Sequence, residues 1–97
     1  MTNMTKIGRT ATSVKTDGNG NVQVRYHSTI VFERRGNEIT VRHGGWVTPT
    51  TRTRINQAFS VYGIAACACI RNGELLIERF DGRPTLSVPN GPLTWTV

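Results

Sequence analysis

The tightest local constraint on this chain is the stretch IAACACIRNGELLIERF, Ile64 to Phe80. Two alternating runs meet at Asn72-Gly73, the residue pair that best tolerates positive φ at both central positions of a two-residue hairpin turn. Closing the turn there pairs Ile70 with Leu75 and Ala68 with Ile77, which sends those side chains to one core-facing side. The other side then carries Cys67, Cys69, Leu76, Glu78 and Phe80. A chain holding this hairpin must supply something to cover its apolar face.

The same two-residue rhythm appears earlier. TATSVKT and NVQVRYHSTIVFE read as strands joined by the turn formers DGNGN. On an unbroken strand Val22, Val24, Tyr26, Ser28, Ile30 and Phe32 share one face, while Gln23, Arg25, His27, Thr29, Val31 and Glu33 share the other. RRGNE turns the chain into ITVRH, which completes a three-stranded antiparallel meander. Thr48-Pro49 then reads as an N-cap followed by Pro at the first helical position, where a missing N–H loses nothing. Ile55, Ala58, Phe59 and Tyr62 fall at i, i+3, i+4 and i+7, the apolar stripe of a helix lying on a sheet, and Gly63 ends it. TLSV and LTWTV, around PNGP, are short C-terminal strands. The order is β-β-β-α-β-β with short strands after it. The fold class is α+β: an antiparallel meander, one amphipathic helix, then a β-hairpin. Residues 1–9 read as a flexible polar terminus and 10–97 as a single domain.

Composition narrows the function classes. Charged residues are 19% of the 97-residue chain, too few for a disordered polyampholyte. The net charge of +6 and pI near 10.4 favour an acidic partner. Lys6 and Lys15 are the only lysines among twelve basic residues, so the rest are Arg, whose planar fork suits phosphate and carboxylate. Cys67 and Cys69 are too close for an unstrained disulfide and too few for a zinc site, so they read as small buried hydrophobes in a reducing compartment. The first sixteen residues hold no apolar run, and Val61 to Ile70 is far shorter than the ~20 residues of a membrane span. The expectation is a soluble intracellular protein with no cofactor, no metal and no membrane partner.

One stretch conflicts with its own local structure. GGWVTPTTRTRIN, Gly44 to Asn56, opens a helix with Arg52 and Arg54 and no acid, although a helix N-terminus favours negative charge by about 0.3–1 kcal/mol per group. Thr50, Thr51 and Thr53 are weak helix formers besides. An anion held by free N–H groups, Thr hydroxyls and guanidinium forks would reconcile these choices. Internal ion pairs to Glu or Asp are the alternative. Trp46 has two readings, a stacking surface or a plug on a small core, and the plug is favoured. Trp95 is expected to be a plug too.

The residues YHSTIVFERRGNEITVRHGGWVTPTTRTRIN also resemble a group of small proteins encoded by tailed bacteriophages. In that group an extended His-x-Thr-x-(Ile/Val) segment precedes a Gly-Gly-Trp-x-Thr-x-Thr-Thr segment with Ile or Met and Asn beyond it. Here those elements are His27, Thr29 and Val31, then Gly44, Gly45, Trp46, Thr48, Thr50, Thr51, Ile55 and Asn56. The resemblance implies a phage origin and a host-cytoplasm setting, and no mechanism.

His27 shares the polar strand face with Arg25, and Arg42 lies across the meander from them. His43 alternates with Ile39 and Val41 on the opposite face, which argues against a two-histidine site for RNA cleavage. With no acidic pair, phosphate loop, nucleophile motif or metal cluster, an enzyme is not expected. The reading is a small basic phage accessory protein that binds an anionic partner, nucleic acid through its phosphates first of all. Thr50, Thr51, Arg52, Thr53 and Arg54 would form the contact patch and Arg25, His27 and Arg42 would extend it. Alternatives are an inhibitor that docks on an acidic host protein and a minor virion or assembly component that self-associates through Trp46 and the edge strands.

Overall fold

A computed structural model describes residues 12–97; the terminus read as flexible, 1–9, lies outside the described residues. The elements in chain order are β1 (Thr12–Thr16), β2 (Val22–Tyr26), β3 (Thr29–Arg35), β4 (Glu38–Val41), α1 (Pro49–Val61), β5 (Ala66–Arg71), β6 (Glu74–Arg79), β7 (Leu86–Ser87) and β8 (Leu93–Thr96). The α+β class holds, with one helix among the described residues and antiparallel pairing throughout.

The run read as a single strand, NVQVRYHSTIVFE, is two strands. The chain reverses at His27-Ser28, so Tyr26 pairs with Thr29 and the meander has four strands before the helix. A thirteen-residue alternation is longer than most strands, and a polar pair at its middle is where it folds back. The pairing then shifts from Val24↔Phe32 to Arg25↔Ile30, which leaves Val31 as the extra residue of a β-bulge. The bulge is why consecutive Val31 and Phe32 are both buried, against strict alternation.

The late hairpin has the register read from Asn72-Gly73, with Ala68↔Ile77 and Ile70↔Leu75. Both turn residues have positive φ, 52° and 77°. β7 extends this hairpin to a three-stranded sheet, β5-β6-β7. β8 leaves it and pairs with β4, giving the larger sheet the order β1-β2-β3-β4-β8. Cys67 and Cys69 are free thiols and only half-buried, so they are less enclosed than the sequence suggested.

The helix contacts β2 and β3 on one side and β5 on the other, which puts it between the two sheets. Its buried residues are Thr51, Ile55, Ala58 and Phe59. Phe59 packs edge-on against Phe32 at 5.9 Å and against Trp95 at 6.1 Å, while Tyr62 stacks on Phe32 at 5.8 Å. The C-terminus closes with the Ile64 amide donating to the Phe59 carbonyl around Gly63, whose φ of +69° suits glycine. Asn56 adds a polar tie. Its Nδ2 donates to the Ala68 carbonyl at 2.9 Å and its Oδ1 accepts the Ala68 amide at 2.7 Å, satisfying an edge of β5 that no strand covers.

On the outer face of the larger sheet, Glu33 is nearly buried and collects Gln23 at 3.0 Å, Arg35 at 3.0 Å and Arg42 at 3.2 Å. The Gln23 hydrogen bond, with help from both guanidiniums, holds its carboxyl below the usual range. Two outcomes follow. Asn56→Ala leaves both Ala68 groups unsatisfied and should cost about 1–3 kcal/mol in denaturant unfolding. The ionised Glu33 stabilises the fold fully above the ordinary carboxylate pKa near 4.5, and that stability disappears as pH falls through the lower folded value. Glu33→Gln should therefore flatten the acid limb of a stability–pH profile; an unchanged limb would place the acid sensitivity elsewhere.

Candidate functional site

The threonines at the helix start are explained mainly by capping. Thr48 is the N-cap, extended at φ −127°, and its hydroxyl accepts the Thr51 amide at 3.3 Å. Its carbonyl accepts the Arg52 amide at 3.1 Å. Thr51 is fully buried and shares a 3.2 Å hydroxyl contact with Thr48, and the Thr53 hydroxyl donates back to the Pro49 carbonyl at 2.9 Å. Pro49 has no amide. Thr50 alone keeps an outward first-turn N–H, so the cradle of amides and hydroxyls expected around an anion is mostly closed from within.

The arginines diverge. Residues two apart on a helix point about 200° away from each other, so Arg52 and Arg54 lie on opposite flanks of the buried stripe. Thr50 and Arg54, four apart, share a flank. Arg54 donates to the Thr12 hydroxyl at 3.0 Å and to Gln57 at 3.2 Å, and its guanidinium lies 5.7 Å from the centre of the Tyr26 ring. Arg52 has no side-chain partner among the described residues. Neither arginine pairs with a carboxylate there, which sets aside the internal ion-pair alternative.

The rest of the predicted patch separates as well. Arg25 is exposed on the outer sheet face, since neighbours along a strand point to opposite sides and Tyr26 faces the helix. Arg42 is on that outer face too, paired with Glu33, a carboxylate that it shares with Arg35. His27 is in the hairpin turn with φ +55°, so it does not lie on the strand face with Arg25. The left-handed conformation costs an ordinary L-residue about 1–2 kcal/mol, less where a polar side chain compensates.

Trp46 does not seal the core. It is 56% exposed, whereas Trp95 is buried at 7%. Its position comes from the turn before it. The buried His43 accepts the Gly45 amide at Nδ1 (3.0 Å), which puts the ring proton on Nε2, and its carbonyl accepts the Trp46 amide at 2.8 Å. Gly44 has φ +59°, and a Cβ there would collide with Oγ1 of Thr29 and come within 2.8 Å of its Cγ2. This contact locks the helix lead-in onto the His27-Ser28 hairpin. Trp46 and His27 end with ring centroids 6.5 Å apart, and His27 is 4.3 Å from Tyr26. The tip is thus a chain of Trp46, His27, Tyr26 and Arg54.

Tyr26, Thr12 and the Thr29–Gly44 approach were missed from sequence, because each acts through a partner many residues away, and Gln57 was missed because its role is to hold Arg54 one helical turn earlier. The lack of an acid beside Arg52 and Arg54 was legible at the helix start, and the acid-free stretch is longer than that. From Ile39 to Gly73 the chain has no Asp or Glu, while Asp17, Glu33 and Glu38 belong to the turns and strand ends away from His27. Among the described residues no group of three or more His, Cys, Asp or Glu is gathered as metal ligands, and no helix is long and apolar enough to cross a membrane.

Gly44→Ala should cost about 2–4 kcal/mol, from the left-handed backbone plus the Thr29 clash, while Gly45→Ala, with open space around it, should cost about 1–2 kcal/mol. Denaturant midpoints would rank them. Equal losses would mean that Thr29 does not pin the turn.

The family model described as Kyanoviridae Gp96 protein matches residues 1–91. No curated protein and no solved structure matches the chain. The chain belongs to the Kyanoviridae Gp96 protein family, a phage protein group.

Proposed function

We propose that this protein is a non-enzymatic phage accessory protein that binds nucleic acid in the host cytoplasm, using the hairpin tip and the adjoining start of α1. The observation that carries the reading is that Arg52 and Arg54 have no carboxylate partner among the described residues and flank an end of the molecule whose segments contain no acid. Arg25, also without a partner among the described residues, supplies a further cation from the outer face. Guanidiniums left unneutralised in this way attract phosphate oxygens and keep their charge at any physiological pH. The contacts are positioning contacts to the backbone, with little dependence on base sequence.

A second reading draws support from the exposure of Trp46. Solvent-exposed Trp is a frequent anchor of protein interfaces, and the same arginines could meet acidic side chains of a host protein.

Fluorescence anisotropy with short labelled DNA and RNA, at low and physiological salt, separates the two. Nucleic-acid binding should weaken steeply with salt, by about one logarithmic unit of affinity per unit of log salt for each phosphate neutralised. Arg52→Ala combined with Arg54→Ala should reduce both the affinity and that slope without abolishing the fold. Absence of binding at low salt would reject the nucleic-acid reading, and a stoichiometric complex with one host protein would support the second.

A further inference from the structure

We infer that the hairpin tip is built to stack unpaired bases, so that the partner is single-stranded nucleic acid rather than duplex. The inference rests on the nucleic-acid reading above and deepens it. Trp46 and His27 have centroids 6.5 Å apart with planes tilted by 34°. That is too far for the rings to stack on each other. The two rings therefore do not cover each other, and aromatic surface left open in this way stacks on bases. Both residues are exposed, and His27 is at the end of a two-residue turn with its neighbour Tyr26 under the Arg54 guanidinium. Ring faces beside a cation are the arrangement that holds single strands with little sequence preference. In a duplex the base faces are already covered by their neighbours, and only phosphates would reach these side chains.

The surroundings favour bases over a protein surface. A protein hot spot is usually the centre of an apolar patch ringed by polar residues. Here the exposed residues nearest the two rings along the chain are Arg25, Ser28, Gly44, Gly45, Pro49 and Thr50. The other exposed large apolar side chains, Val14, Val61, Phe80 and Val97, belong to other segments. His27 adds an independent sign. Its φ of +55° suits glycine better, so this chain places a ring where the backbone disfavours one.

The test compares a labelled oligothymidylate with a duplex of the same length, bound to the full chain at low salt. Wild type should prefer the single strand, and its binding should quench Trp emission. Trp46→Ala should weaken single-strand affinity roughly 5- to 100-fold, abolish the quench and leave duplex affinity within about twofold. His27→Gly should also weaken the single strand, with a thermal midpoint equal to or above wild type because glycine accepts the turn. That variant separates lost stacking from lost structure. Equal binding of both probes, with neither variant selective, would overturn the stacking inference while leaving phosphate binding standing. No binding of either probe would overturn both and point to a protein partner at the tip.

Discussion

Phe59 holds the two halves of the molecule together. Its ring contacts Phe32 of β3 and Trp95 of β8, both in the larger sheet, while its helix rests on β5 of the smaller one. The smaller sheet is a hairpin with a two-residue extension, and such a unit has too little apolar surface to persist alone. With one helix among the described residues to cover two sheets, the core is thin, and aromatic rings fill it because each buries a large area from a single position. Asn56 supports the same junction by satisfying a backbone edge that would otherwise be a second cost of leaving β5 unpaired.

The tip depends on that junction. The angle of α1 is set by its buried stripe, and its start then has to meet the meander where the chain reverses at His27-Ser28. Two short devices make the meeting rigid: the Thr48 cap, which ends the lead-in, and the close approach of Gly44 to Thr29. Trp46 lies between them, held through its backbone while its indole stays in water. The local choices that do not serve stability gather here. A Trp is exposed, a histidine occupies a left-handed turn, and cations occupy the unfavourable end of a helix dipole, the last two each at a cost of about 1 kcal/mol. Of the threonines, which first appeared to belong with them, Thr48 and Thr51 turn out to form the cap.

How much was readable differs between these features. The Asn72-Gly73 hairpin, its register and the Thr48-Pro49 helix start were legible because each is decided by residues within a few positions of one another. The buried stripe of Ile55, Ala58 and Phe59 followed from helical period alone. The site was less legible. Arg52 and Arg54 stood out as cations, yet their divergence required the helix to be real, and the pairing of Arg42 with Glu33 required the strand register. Trp46 was misread as a plug because an isolated Trp after Gly-Gly gives no sign of which side of it is wet.

The sequence by itself determined the α+β class, the late hairpin, the single helix with its cap, and the basic balance with an acid-free middle. These properties come from side-chain alternation, turn chemistry and charge, which act over short separations or simply add up. Only the tertiary structure decided that the long alternating run folds back at His27, that Val31 bulges, that β8 crosses to pair with β4, and that Trp46, His27, Tyr26 and Arg54 converge on one end. Each of those outcomes depends on which distant surface is available to cover an apolar face or pair with a free strand edge. A choice among distant partners is made by the packing of the whole chain, and no local pattern encodes it.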